Sequence, residues 1–269
     1  RRQRQMCIRD RASTSDDTKV DGSNHKMIDQ KNLYSEAEFS APSSRITSFG
    51  EFVKKYAKLD VSRIIDIGSG SGELVVELSK LFPSASVTGN DVSAPNVKSA
   101  HEKTNGLDKS FRDRIEFILD DYLKLKTEPY DLIVSYSCLN LISTELDNLV
   151  SKLAVDLKPD GLLIMSIPNG CAYNKILILF RRMLGMIRGR MTDRIIFHLA
   201  RLFLDSSVSD ERIRHNLVYM YIAPSNLFDR DFVRSANKHN FTIEYVEDDR
   251  AESVFKLRHS SVVLKKLEV

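Results

Sequence analysis

Residues 63–72 read RIIDIGSGSG, a short apolar run that passes directly into alternating glycines. The run predicts a buried β-strand over Arg63–Ile67, because strands of a parallel sheet are covered by helices on both faces. The glycines allow a sharp turn into a helix predicted over Glu73–Lys80, and they let a ligand approach the main chain closely. This stretch therefore predicts an α/β sheet with a ligand loop after its first strand.

Apolar strands and helical patterns alternate downstream of this loop, as is typical of a parallel α/β sheet. Further strands are predicted over 86–90, 115–119, 132–136, 162–167, 241–246 and around 261–265. Helices are predicted over 93–104, 143–157 and 225–238, and a turn is predicted at Lys158–Gly161. The alternation stops between about 171 and 215, where we expect a helical insertion.

The N-terminal part of the chain is expected to lie outside the fold. Residues 1–31 are predicted to be a disordered lead-in, because residues 12–31 are polar and show no period. Residues 1–11, RRQRQMCIRDR, resemble a translated sequencing-adapter read-through. They carry five arginines against one aspartate, so without them the formal charge of +3 becomes −1. The apparent basicity therefore gives no support to a nucleic-acid partner, and none is expected.

The cysteines and the apolar runs limit the classes of protein further. Cys7, Cys138 and Cys171 form no CxxC pair and no metal-ligand spacing, so we expect neither a disulfide framework nor a zinc site, and a cytoplasmic location. Cys138 is interpreted as a small packing residue. No His, Asp and Glu cluster has the spacing of metal ligands, and no run reaches the roughly 18 apolar residues of a membrane span.

Acidic residues follow the strands at the loop edge of the predicted sheet. Asp66 lies two residues before Gly68, where it could hold loop amides or a cationic ligand group. Asp91 closes the second strand, where a carboxylate accepts hydrogen bonds from ribose hydroxyls. The alternative for Asp91 is the N-cap of the next helix, although Ser93 can fill that position. The G-x-G-x-G spacing differs from the G-x-G-x-x-G of dinucleotide-binding proteins.

Five stretches follow, in order, the motifs of class I S-adenosylmethionine (SAM)-dependent methyltransferases; they read IIDIGSGSGELVVEL, VTGNDVS, IEFILDDYL, YDLIVSYSCLNLI and LKPDGLLIMSIPN. The resemblance covers about 48–166 and implies a Rossmann-like, seven-stranded, mostly parallel sheet in a domain over 32–269. It implies SAM as the cofactor, with Asp121 matching the adenine-side acid better than Asp120. The implied cofactor-binding residues are Asp66, Gly68, Ser69, Gly70, Gly72, Asp91, Val92, Asp120, Asp121, Tyr122, Ser135 and Tyr136.

The methyl group of SAM is already activated, so the protein has to align an acceptor atom with it and exclude water. His215 is the candidate general base, and the alternative is a histidine that hydrogen bonds the lid or the last helix. The sequence that starts at His215 resembles methyltransferases of ubiquinone biosynthesis and of cell-surface glycans. That resemblance implies a small-molecule or lipid-linked acceptor, such as a quinone precursor or a glycan, methylated on O, N or C.

The insertion allows two interpretations, because its segments 176–190 and 195–204 are both apolar and basic. They could form a two-helix lid that packs on the sheet and closes the pocket, which is the preferred interpretation. They could also lie in a membrane interface with arginines at the headgroups, as a peripheral contact through 176–204. The two are compatible if the acceptor is linked to a lipid.

Three other functions are considered. An NAD(P)-dependent oxidoreductase is expected to show G-x-G-x-x-G and a proton donor, and the sequence shows neither. A catalytically inactive binding protein with the methyltransferase fold remains an alternative, although the intact loop and Asp91 argue against it. A nucleic-acid methyltransferase is disfavoured because Ser135–Cys138 stands where an NPPY-type loop is expected.

Overall fold

The computed structural model describes residues 42–57, 60–203, 210, 213–214, 217–248 and 256–268. The predicted lead-in over 1–31 and the candidate base His215 lie outside these residues.

Seven strands form one sheet in the order β3-β2-β1-β4-β5-β7-β6. The neighbours among β1 to β5 are parallel, whereas β7 runs antiparallel to both β5 and β6. The predicted Rossmann-like, mostly parallel sheet is therefore confirmed. The strands are β1 (Arg63–Ile67), β2 (Ser86–Asp91), β3 (Ile115–Leu119), β4 (Tyr130–Tyr136), β5 (Leu157–Pro168), β6 (Phe241–Asp248) and β7 (His259–Lys266).

Helices cover both faces of the sheet and fill the insertion after β5. They are α1 (Ser43–Tyr56), α2 (Glu73–Leu81), α3 (Ala94–Asn105), α4 (Lys109–Arg112), α5 (Leu146–Asp156), α6 (Ala172–Met186), α7 (Arg190–Phe203) and α8 (Arg230–Lys238).

Three boundaries differ most from the sequence prediction. The helix expected from Ser143 begins at Leu146, because Glu145 is extended with ψ 135°. The helix expected from Ser225 begins at Arg230, after the capping side chain of Asp229. The turn expected at Lys158–Gly161 is included in β5, where the register against β4 shifts between Tyr130 and Leu132.

Alternate residues of the central strands feed two separate apolar layers, because successive side chains of a strand point to opposite faces. Ile64 packs into a layer with α1, α2 and α3, and the next residue, Ile65, packs into a layer with α5 and α8. Both residues are fully buried. The first strand is thus held on both faces, which fixes the position of the glycine loop that follows it.

Candidate functional site

The loop between β1 and α2 turns through three glycines with left-handed backbone conformations. The φ angles are 75° at Gly68, 54° at Gly70 and 83° at Gly72. The amides of Gly68 and Ser69 donate to the carbonyl of Asn90, at 2.8 and 3.0 Å. A Cβ atom on Gly68 would lie 2.1 Å from the Sγ of Cys138. The loop is therefore packed tightly against the ends of β2 and β4, and its shape depends on glycine.

The Asp91 carboxylate joins this loop to the start of α3. Its Oδ2 accepts a hydrogen bond from the Gly70 amide at 2.8 Å. Its Oδ1 accepts from the Ser93 amide at 2.8 Å and from the Asn96 side chain at 3.3 Å. The N-cap of α3 is Ser93, whose hydroxyl accepts from the Asn96 amide. Asp91 is therefore not the N-cap of α3, and its carboxylate holds the glycine loop.

Asp66 is buried under the same loop, and one oxygen of its carboxyl group lacks a hydrogen-bond partner in the described part of the chain. Its side chain is 1% exposed, and its Oδ1 makes no hydrogen bond within the described part of the chain. The Oγ of Ser69 is also buried, and it makes no hydrogen bond within the described residues. Burial, together with the carboxylates of Asp91 and Glu73, raises the pKa of Asp66 to about 8. Each buried unsatisfied group costs about 1–3 kcal/mol, so this arrangement suits a polar or cationic ligand group.

The ends of β2 and β3 are tied together, which brings their acids to one edge. The Asn90 side chain donates to the Asp120 carbonyl at 2.9 Å, and the Asp120 amide donates to the Asp91 carbonyl at 3.2 Å. The carboxylate of Asp121 accepts from the Leu123 amide and begins a 3-10 turn. Asp91 and Asp121 therefore share the carboxyl edge of the sheet, where ligands of open α/β sheets bind.

Four residues that were predicted to bind the cofactor lie outside the glycine loop and have different contacts. Tyr122 is buried in the core with Lys152 of α5 over its ring, so the structure does not bring its side chain to the loop. Ser135 lies beneath the loop and donates to the Ile67 carbonyl at 2.9 Å. The ring of Tyr136 packs on Phe49 of α1, with 4.9 Å between centroids. Val92 is 37% exposed beside Asp91.

Sequence reasoning missed one polar pair at this edge. The Oγ of Ser137, directly after β4, lies 2.7 Å from the Nε2 of His259, the first residue of β7. The pair spans 122 positions of the chain, so no local spacing reveals it. Only the antiparallel placement of β7 beside β5 brings His259 to the edge where β4 ends.

Cys138 fills space between the loop and β4. Burial raises the pKa of its thiol, and its side chain packs against Gly68. A protonated, buried thiol is a packing residue rather than a nucleophile, which agrees with the interpretation drawn from the sequence.

The described residues contain neither a cluster of metal ligands nor a membrane-spanning helix. Within those ranges, no three His, Cys, Asp or Glu side chains lie together as ligands for a metal ion. None of the helices that the structure describes is long and apolar enough to cross a membrane.

Comparison with known proteins identifies the central part of the chain. Residues 65–163 match a family model described as a methyltransferase domain. Carboxy-S-adenosyl-L-methionine synthase of Nautilia profundicola is 31% identical over 123 residues, which cover 44% of this chain and 51% of that protein. Malonyl-[acyl-carrier protein] O-methyltransferase of Priestia megaterium is 35% identical over 104 residues, which cover 38% and 35%. The chain thus spans about half or less of the length of these curated relatives.

Two solved structures share the fold over most of the chain. The magnesium protoporphyrin IX methyltransferase of Synechocystis, with bound S-adenosylhomocysteine (SAH), has a TM-score of 0.55 at 17% identity and covers 83% of each chain. The N-methyltransferase NodS of Bradyrhizobium japonicum, also with SAH, has a TM-score of 0.53 at 15% identity and covers 85% and 90%.

The segment matched by the family model runs from β1 into β5 and contains the glycine loop with Asp66, Asp91 and Asp121. The seven-stranded sheet around it belongs to a fold shared with solved methyltransferase structures. Residues 65–163 therefore match a methyltransferase domain, and the sheet that contains them has the fold of solved SAM-dependent methyltransferases.

Proposed function

We propose that this chain binds SAM at the glycine loop and transfers its methyl group to a small-molecule or lipid-linked acceptor. The observation that carries the proposal is the loop itself. Three glycines with positive φ stand between Asp66, buried with an unpartnered oxygen, and Asp91, which accepts from the Gly70 amide. The residues at this loop thus fit a ligand with both a nucleoside and a charged amino-acid part.

Each group of SAM then has a residue of matching chemistry at the sheet edge. Asp91 would accept a hydrogen bond from a ribose hydroxyl, since a carboxylate has about four lone-pair sites and its described partners are three N–H groups. Asp66 would lie against the ammonium group, and the acid that closes the β3 edge, Asp121, would serve the adenine amino group. When bound, SAM supplies a sulfonium-activated methyl group, and the protein contributes alignment and exclusion of water.

Methyl transfer can be tested without knowing the acceptor. We expect the protein, mixed with methyl-labelled SAM and a cell extract, to move label into a small-molecule or lipid fraction. The Asp91→Ala variant should move at least about tenfold less, because charge-assisted hydrogen bonds contribute about 1.5–3 kcal/mol. Gly106→Ala is the matched control, because a Cβ there meets nothing closer than a backbone oxygen at 3.7 Å.

Two outcomes would count against this proposal, and they are distinguishable. If the folded protein binds SAH but labels no fraction of any extract, the inactive binding protein becomes the better description. If it binds neither SAM nor SAH, the cofactor assignment itself fails.

The insertion supports the membrane interface as the place where the acceptor is met. Helix α6 buries Leu177 and Ile178 but leaves Ile176, Leu179 and Met183 at least half exposed. Helix α7 leaves Met191, Ile195 and Leu202 more than half exposed. A lid that packs on the sheet therefore accounts for only one side of α6. Large exposed apolar areas mark interaction surfaces, and here we call residues 172–203 the insertion surface.

The charge of the insertion surface matches an anionic bilayer. Residues 172–203 carry one lysine and six arginines against one acid, Asp193, whereas the chain without residues 1–11 has a formal charge of −1. Arg182, Arg190 and Arg194 are exposed among the apolar side chains. Basic residues near an anionic leaflet contribute about 1 kcal/mol each. We therefore propose a peripheral contact, in which apolar side chains enter the interface and arginines meet the headgroups.

Vesicle binding tests the contact. We expect sedimentation with vesicles of phosphatidylcholine and phosphatidylglycerol, and much less with phosphatidylcholine alone. The double variant Arg190→Gln/Arg194→Gln should bind roughly thirtyfold more weakly, from the loss of about 2 kcal/mol. Lys98→Gln/Arg112→Gln is the matched control, because both residues are exposed on helices outside the insertion. Equal binding of both double variants would contradict the proposal.

A further inference from the structure

Ser137 and His259 form a hydrogen-bonded pair that the proposed cofactor site does not use. Ser137 lies directly after β4 and has a φ of 62°, a left-handed conformation that is uncommon for a residue other than glycine. Its amide donates to the carbonyl of Ser166 at 2.9 Å, which holds the residue against the end of β5. Both side chains of the pair are partly exposed. Ser137 is thus held in place by its main chain, and the pair is half-buried.

The hydrogen bond made by Nδ1 of His259 determines whether Ser137 or His259 is the donor within the pair. The Nδ1 of His259 lies 3.0 Å from the carbonyl oxygen of Leu257, and a carbonyl oxygen only accepts. Nδ1 therefore carries the hydrogen, which makes Nε2 of the neutral ring an acceptor. Burial, with the nearby charges of Arg45 and Arg181, lowers the pKa of His259 to about 4, so the ring is neutral at ordinary pH. The Ser137 hydroxyl must then donate to Nε2, which leaves the lone pairs of Oγ to accept another hydrogen bond.

The pair stands next to the cofactor loop on the side of the insertion. Cys138, the next residue in the chain, packs on Gly68. Asn174 of α6 donates from its side chain to the carbonyl of Arg258, the residue before His259, at 2.7 Å. Ser137 therefore lies near both the loop that would hold SAM and the helix that begins the insertion.

We infer that Ser137 Oγ accepts a hydrogen bond from the hydroxyl or amine group that receives the methyl, and that His259 is a positioning residue that fixes the Ser137 hydroxyl. This inference rests on the proposed function and narrows its acceptor to an atom that carries a hydrogen. The acceptor oxygen or nitrogen forms the new bond to carbon as the carbon–sulfur bond breaks, with the electron pair left on sulfur. The acceptor's proton stays hydrogen bonded to Ser137 Oγ until the new bond forms, and it is then released to solvent water as the sulfonium becomes a neutral thioether.

The hydrogen-bond directions can be tested without any acceptor. In protein labelled with ¹⁵N-histidine, we expect the His259 signals at pH 7 to show a neutral ring with the hydrogen on Nδ1. Ser137→Ala should shift the Nε2 signal, because that nitrogen loses its donor. A ring with the hydrogen on Nε2, or an Nε2 signal unmoved by Ser137→Ala, would overturn the inference whether or not methyl transfer is seen.

The role in transfer is tested with methyl-labelled SAM and cell extract as the probe. Ser137→Ala should slow labelling by about tenfold, as expected for one neutral hydrogen bond, while SAH affinity stays within about twofold. His259→Gln, whose side-chain oxygen can still accept from Ser137, should retain more activity than His259→Leu. Ser137→Gly, which suits the positive φ but lacks the hydroxyl, should behave like Ser137→Ala.

The chemistry of the labelled product separates this inference from the proposed function. Mild alkali releases methyl from esters of carboxylates but not from ethers or methylamines. Alkali-stable label that depends on Ser137 supports the inference. Alkali-labile label, or stable label formed equally well by Ser137→Ala, would overturn it and leave the methyltransferase assignment intact.

Discussion

The Asp66 carboxyl lies buried under the glycine loop, and its pKa is raised to about 8. The folded protein without ligand therefore holds a proton that the unfolded chain releases near pH 4. Stability contributed by this group falls as the pH rises from about 4 to about 8, because over that range the folded state binds more protons than the unfolded state. An ammonium group placed beside Asp66 would favour the ionised form instead.

This titration gives a pH dependence of binding. We predict that SAH binds more tightly as the pH rises from 6 to 8, by up to about tenfold per pH unit, with release of a proton. Calorimetry in buffers of different ionisation enthalpy measures both effects. Asp66→Asn, which cannot ionise, should bind weakly with no such dependence. An affinity of the unmodified protein that stays constant over this range would contradict the role assigned to Asp66.

The backbone conformation of the loop depends on Gly68. We predict that Gly68→Ala lowers the free energy of unfolding by about 2–5 kcal/mol, from a left-handed non-glycine residue at about 1–2 and overpacking at about 1–3. The physical cause is a Cβ atom 2.1 Å from the Cys138 Sγ at a φ of 75°. Urea unfolding provides the measurement. The control Gly106→Ala, at a φ of −83°, should change stability by less than about 0.5 kcal/mol. Equal stability of both variants would rule out this explanation.

Individual residues also show which features of the site could be predicted from the sequence and which could not. The glycine turn after β1 was predictable because it depends on a few neighbouring positions, and the cofactor roles of Asp66 and Asp91 stay predictions. Tyr122 was assigned to the cofactor from the resemblance, whereas the structure places its ring in the core against α5. Ser137 and His259 were not predictable, since their pairing depends on how distant strands meet.

Among the elements, α8 shows how one side chain sets a boundary. The Asp229 carboxylate accepts hydrogen bonds from the Asp231 and Phe232 amides at 3.0 and 3.2 Å, so the helix begins five residues after its expected start at Ser225. The preceding residues are used elsewhere, because Asn226 donates to the carbonyls of Leu139 and Ile142. The sequence pattern shows the helix, but these contacts determine its first residue.

The cap provides a test of this element. We predict that Asp229→Ala lowers the free energy of unfolding by about 1 kcal/mol, the usual value of a lost N-cap. Asp229→Ser, whose hydroxyl can still cap the helix, should lose much less. Thermal or urea unfolding gives the comparison, and an alanine variant as stable as the serine variant would contradict the capping role.

The insertion is the element whose sequence allowed two interpretations, and the structure changes their balance. Leu177 and Ile178 pack inward as a lid requires, whereas Ile176, Met186 and Leu202 are each more than two-thirds exposed. Periodicity alone cannot distinguish these faces, because both are apolar. The exposed apolar side chains and the positive charge of the insertion together support the proposed membrane contact.

For the whole molecule, the strands of the sheet were predictable from the sequence, whereas helix α1 was not. The short apolar runs predicted β1 to β5, and the structure confirms the mostly parallel, seven-stranded sheet that the resemblance to class I methyltransferases implies. Helix α1 was not predicted, yet it packs Phe49 and Val53 against the same layer as Ile64. These residues are buried by contact with the folded sheet, and this tertiary contact cannot be predicted from the local sequence.

Calorimetric titration with SAH is the most direct test of a SAM site at the glycine loop, with NADH as the competing ligand and thermal unfolding as the check on folding. The account predicts one SAH bound per chain, no binding of NADH, and at least about tenfold weaker SAH binding by Asp91→Ala, with Gly106→Ala unaffected. A folded protein that binds no SAH, or an Asp91→Ala variant that binds it as well as the unmodified chain, would contradict the account.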